Sequence, residues 1–119
     1  MGHYTDIFVV PVSRQKLEAY REQAQTFVNV VREYGALSCV EIEADDAPLG
    51  KVTSFPQSVD LKPDETVFVG IATYESRAQR DEVNAKVMKD PRMSAMTPDT
   101  MAFDGKRMFF GGFKSFVGD

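Results

Sequence analysis

A single cysteine, Cys39, and a single histidine, His3, stand among 119 residues, and tryptophan is absent. One cysteine cannot close an intramolecular disulfide, which fits a reducing compartment. One histidine and one cysteine also fall short of the nitrogen and sulfur sets that hold zinc, so no metal site is expected within a subunit. No apolar run approaches the roughly eighteen residues of a membrane span. The opening Met1-Gly2-His3-Tyr4-Thr5-Asp6 lacks the basic-then-apolar order of a secretory signal. Basic residues are in deficit, 14 Lys and Arg against 18 Asp and Glu, for a net charge of -4. That balance gives no general attraction to phosphate backbones and argues against a nucleic-acid partner. Gly50-Lys51-Val52-Thr53 lacks the glycine-rich approach of a phosphate loop, and no dinucleotide fingerprint follows a strand. The expectation is a cytoplasmic protein with no membrane attachment and no bound cofactor.

What is present suits one globular domain over residues 1–119, large enough to bury a core without covalent staples. Tyr4 to Pro11 is rich in β-branched and aromatic residues and predicts a first strand that the proline stops, with Ile7/Val9 on one face and Phe8/Val10 on the other. Ser13 can cap a helix in which Leu17, Tyr20, Ala24, Phe27, Val31 and Tyr34 recur at spacings of three and four, and Gly35 supplies its stop. Leu37 to Ala44 alternates, Val40, Ile42 and Ala44 against Cys39, Glu41 and Glu43, as an edge strand does. Residues 45–63 carry Pro48, Gly50, Pro56 and Pro63 and make a long connection, the first place to look for a lid or a subunit contact.

Thr66 to Tyr74 is a near-continuous apolar run, expected as a central strand. Ser76 with Gln79 forms a capping box for a helix running to about Lys89, before Asp90-Pro91. Asp104-Gly105 is a turn signal that feeds a final aromatic strand, expected over Lys106 to Val117. Gly111-Gly112 within it reads as a bulge rather than a close approach. The order βαββαβ predicts an α+β, ferredoxin-like domain: a four-stranded antiparallel sheet with two helices on one face. Two helices cover one face only, yet three strands are apolar on both. A second sheet is therefore expected to pack on the open face, giving a homodimer of the dimeric α/β barrel kind.

Three stretches resemble one family: Gly50-Lys51-Val52-Thr53-Ser54-Phe55-Pro56-Gln57, Ser76 to Met88 continuing into Asp90-Pro91-Arg92-Met93, and Phe103-Asp104-Gly105-Lys106-Arg107-Met108 with Gly111-Gly112-Phe113. They are similar to the YbaA-like bacterial family, also called domain of unknown function 1428. The resemblance covers essentially the whole chain. It implies a cytosolic bacterial protein of the dimeric α/β barrel superfamily and transfers no catalytic set. It also suggests that Asp90-Pro91-Arg92 clamps a partner chain or a ligand.

Candidate site residues follow from the strands. Glu41 would act as a general acid or base if its face looks into an apolar cavity, where burial raises a carboxyl pKa; the alternative is a solvated edge. Arg107 would anchor an anionic group at the mouth of the barrel cavity, with Met108, Phe109 and Phe113 as walls for a small apolar or aromatic molecule; the alternative is an arginine paired to a carboxylate. Five of the six methionines, Met88, Met93, Met96, Met101 and Met108, fall in one segment, where they line either an adaptable pocket or a helix-sheet contact. A non-catalytic dimerisation module is the competing reading of the whole chain.

Overall fold

The computed structural model describes residues 3–118. Met1 and Gly2, on which part of the leader reading rests, lie outside them, as does Asp119. Strand β1 (Tyr4–Ser13) runs into a 3-10 turn (Arg14–Lys16) and helix α1 (Leu17–Glu33). Strand β2 (Ser38–Glu43), the short helix α2 (Phe55–Ser58) and strand β3 (Glu65–Tyr74) follow. Helix α3 (Arg77–Lys89), the single turn α4 (Pro91–Ser94) and strand β4 (Phe109–Lys114) complete the chain. The sheet has the order β2-β3-β1-β4 with every pair antiparallel. This is the expected ferredoxin-like arrangement.

Local chemistry accounts for most boundaries. The Ser13 hydroxyl accepts from the Gln15 N–H, and α1 ends where Gly35 takes φ 124°, a conformation costly for any residue with a Cβ. The Ser76 hydroxyl accepts from the Gln79 N–H at 3.1 Å, while the Gln79 side chain accepts from the Glu75 N–H and donates to the Gly35 carbonyl. One glutamine thereby joins the start of α3 to the end of α1. Three strand expectations need correction. Pro11 does not stop β1, which continues to Ser13 paired with β3; β4 stops pairing at Val9, so on that side Pro11 has no ladder bond to lose. The last strand is shorter than expected, because Asp104 takes the Lys106 N–H and draws Arg107 back on itself, so that pairing begins only at Phe109. Gly111 and Gly112 pair in unbroken register with Ile7 and Asp6, so there is no bulge.

The core lies between helices and sheet in two clusters. One gathers Val30, Val31, Ala72, Tyr74, Val83 and Val87, the other Val10, Val12, Tyr20 and Ala102. A third cluster, on the far side of the sheet, packs Val59 on Val9 and Val67 with Leu61 against it. The long connection thus covers one end of the open face. Arg107 fastens it there: its guanidinium donates to both Glu65 oxygens (2.8 and 2.6 Å), to Asp104 (2.8 Å) and to the carbonyls of Val59 and Asp60. Beyond that cover an apolar strip stays open, with Val40 47%, Ile42 44%, Phe109 45% and Phe113 55% exposed.

Asp90-Pro91-Arg92 clamps the chain to itself. The Arg92 guanidinium donates to both Asp90 oxygens at 2.9 Å and to both Glu33 oxygens, and the Tyr34 hydroxyl donates to Asp90 at 2.8 Å. Arg107 holds the carboxyls of Glu65 and Asp104 below their ordinary range, and Arg92 does so for Asp90 and Glu33. A depressed folded-state pKa contributes stability above the unfolded value and loses it as pH falls through the folded one. Asp6 and Glu41 are raised by burial and act in the opposite sense at higher pH. The urea midpoint should therefore drop steeply below about pH 4, as the four paired carboxylates take up protons. A midpoint that stays level from about pH 5 to pH 3 would contradict this account of the ion pairs.

Candidate functional site

Register builds the floor of the site. Glu41 lies opposite Gly70, Gly70 opposite Phe8, and Phe8 opposite Phe110, forming one row across the sheet. The neighbouring row is Cys39, Ala72, Asp6 and Gly112. Both rows face the helices, since residues paired across a sheet share a face. A methyl group on Gly70 would sit 2.1 Å from the Phe8 ring, so that ring occupies the space a side chain at position 70 would need. A methyl on Gly112 would meet the Tyr4 hydroxyl at 2.3 Å and Arg80 Nη2 at 2.7 Å. The glycine pair was expected to bend the strand. Gly112 instead lets two side chains lie against it.

Helix α1 contributes Tyr20, Ala24 and Phe27 from its apolar stripe, and α3 contributes Arg80, Asn84 and Val87 from one side. Between them a cavity of about 450 Å³ opens over the floor. All five clustered methionines line it with Phe103 and Phe110, Met88 and Phe110 being the exposed members. A second hollow of about 410 Å³ lies between α1 and β2, and Tyr20, Ala24 and Glu41 border both.

Two polar stations interrupt the apolar wall. At the first, the buried Tyr20 hydroxyl donates to Glu41 Oε1 at 2.5 Å. Burial pushes the Glu41 carboxyl above its ordinary range, although the Tyr20 hydrogen bond pulls it back; burial and the Glu41 charge both raise the Tyr20 phenol. Among the described residues no Lys or Arg nitrogen reaches within 4 Å of Glu41. At the second station Arg80 Nη2 donates to the Tyr4 hydroxyl at 2.9 Å, and Arg80 Nε lies 3.7 Å from Asp6 and 3.4 Å from Asp81. That Nε is buried and makes no hydrogen bond. Burial raises Asp6, with Arg80 and Asn84 acting against the shift, and Tyr74 beside them is pushed up to about 12 by burial and by the Asp6 charge.

The expected site residues divide between the two faces of the sheet. Glu41 and Met108 line the cavity under the helices. Phe109 and Phe113 occupy the opposite face, with the Phe113 ring over Gly111. Arg107 takes no part in the cavity, its donors being committed to Glu65, Asp104 and two carbonyls. Cys39 is half-buried in the core, where burial first and then Glu41 push its thiol up to about 11. The groups that sequence reasoning passed over are Asp6, Tyr20 and Arg80. A charge at Asp6, inside a strand apolar on both faces, was the available signal. The three-and-four spacing marks Tyr20 only as a core position, and nothing adjacent in the chain sets Arg80 apart from the other polar residues of α3. Among the described residues no cluster of His, Cys, Asp and Glu could hold a metal ion, and no helix is long and apolar enough to cross a membrane.

Comparison with known proteins agrees with this fold. The chain is 45% identical over 114 residues to the uncharacterized protein YbaA of Escherichia coli K12, covering 96% of this chain and 97% of that one, and matches YbaA of Shigella flexneri to the same extent. Among solved structures, a NIPSNAP family protein of unknown function from Agrobacterium tumefaciens superposes with a TM-score of 0.56 at 15% identity, covering 95% of this chain and 87% of the other. A NIPSNAP domain protein from Burkholderia xenovorans gives a TM-score of 0.57 at 12% identity, covering 97% and 94%. At such identities these likenesses concern the fold alone. The profile of the family described as "Protein of unknown function (DUF1428)" matches residues 3–105, and with the YbaA likeness this makes the chain a member of the DUF1428 family.

Proposed function

We propose that the protein is a cytoplasmic homodimer that binds or transforms a small, largely apolar or aromatic molecule, without a bound cofactor, in the cavity between its helices and its sheet. The observation that carries this reading is the cavity itself: about 450 Å³ walled by five methionines and several aromatic rings, with a tyrosine-bound carboxylate at its border. Methionine side chains adapt to varied apolar shapes, and convergent polar groups in an apolar pocket set a ligand's orientation. Glu41 is the acid or base in this reading, since its raised pKa brings protonation nearer to neutral pH. Met108 is a wall, and Phe109 and Phe113 belong to the subunit contact.

The open strip of Val40, Ile42, Phe109 and Phe113 supports dimerisation through the sheet, since an uncovered apolar face across a soluble domain is a liability. It also supports the competing reading, a module whose only task is to dimerise. Native mass spectrometry of freshly purified protein separates the two: a dimer carrying retained small-molecule mass is expected. A ligand-free dimer whose melting temperature rises with no apolar or aromatic probe would leave dimerisation as the only role. A monomer at micromolar concentration would remove the subunit contact.

A further inference from the structure

Resting on the ligand-binding reading above, we infer that the cavity selects lipophilic organic cations, with the positive nitrogen seated on Glu41 and the rings on the Phe8 and Phe27 wall. The two polar stations differ in charge balance. Asp6 already faces the Arg80 guanidinium, 3.7 Å away, whereas the only hydrogen-bond partner of the Glu41 carboxylate among the described residues is the neutral Tyr20 hydroxyl. Tyr20 occupies Oε1, and Oε2 accepts nothing from the described residues. Arg21 borders the adjoining hollow but pairs with Glu18 at 3.7 Å.

A half-buried carboxylate with no cation beside it is costly until it is protonated or meets a positive charge. An ammonium group entering the cavity would meet that need at Oε2. Its hydrocarbon part would meet apolar surface: the Phe8 and Phe27 rings pack edge to face at 5.8 Å and 82°, and methionine thioethers line the cavity beside them. An anion would meet two carboxylates and a guanidinium already flanked by Asp6 and Asp81. With Asp6 compensated and Glu41 not, the preference is for one positive charge.

Three probes of nearly one shape test this by isothermal titration calorimetry near neutral pH: 1-naphthylmethylammonium, 1-naphthylmethanol and 1-naphthoate. The ammonium should bind at least about tenfold more tightly than the alcohol, and the carboxylate most weakly. Glu41→Gln should abolish the advantage of the ammonium over the alcohol. Equal affinities for ammonium and alcohol in the wild type, or a preference that survives Glu41→Gln, would overturn the inference and leave the binding reading intact. No binding by any of the three would overturn both. Should the variant fail to fold, the wild-type ranking decides alone.

Discussion

Arg107→Ala should lower the stability of the protein by about 3 kcal/mol, the usual consequence of removing one partner from a buried ion pair. The guanidinium and its Glu65 partner are only 18% and 9% exposed, so the orphaned carboxylate is not rehydrated where it stands. The loss would also free the carbonyls of Val59 and Asp60, and with them the segment that packs Val59 onto Val9 and Val67. Urea denaturation should show the change as a lower midpoint, and the melting temperature should fall by roughly 10 °C or more in a chain of this size. Arg107→Lys keeps the charge but not the planar fork that spans two carboxylates and two carbonyls, so it should recover only part of the loss. A drop below about 1 kcal/mol for alanine would mean that the tie behaves as an exposed surface pair. Either result bears on stability, since Arg107 lies outside the cavity.

Gly70→Ala should act on the cavity directly. The new methyl would stand 2.1 to 2.8 Å from three atoms of the Phe8 ring, closer than side-chain atoms tolerate. The ring has to leave its seat on β3, and the helix side offers it only the cavity and the Phe27 ring. Overpacking of this kind costs about 1 to 3 kcal/mol. The larger consequence should be for binding: a displaced phenyl ring occupies space meant for a ligand, so uptake of naphthyl probes should fall by tenfold or more. Phe8→Leu in the same chain removes the clash and should restore both stability and uptake in part. Unchanged stability and unchanged uptake in Gly70→Ala would mean that the Phe8 ring does not rest where the glycine leaves room.

The helices and the central strands could be read from residue chemistry because their signals are local. The three-and-four spacing from Leu17 to Tyr34, the Ser76 cap and the apolar run from Thr66 to Tyr74 each need only their neighbours to make sense. The site was harder to read because its geometry is non-local. Nothing near Glu41 in the chain indicates that Tyr20 lies above it, and nothing near Arg80 indicates Asp6 and Tyr4. The same holds for Arg107: Asp104 could be anticipated three residues away, but Glu65 could not. The methionine cluster was legible as a composition bias, and only the fold sets it against Phe8 and Phe27. The last strand misled in extent, since Phe116 and Val117, after Lys114, have no partner strand in the ladder.

Strand β2 carries a further consequence. Its register turns Cys39, Glu41 and Glu43 under the helices and leaves Val40 and Ile42 facing outward. A slip of one residue against β3 would exchange the two sets, burying the aliphatic side chains beneath α1 and sending the glutamates to water. For an isolated subunit that alternative would satisfy hydropathy better, so the observed pairing is locally frustrated. Under the proposed function the same register has a use on each side, a carboxylate kept for the cavity and an apolar surface kept for a second subunit.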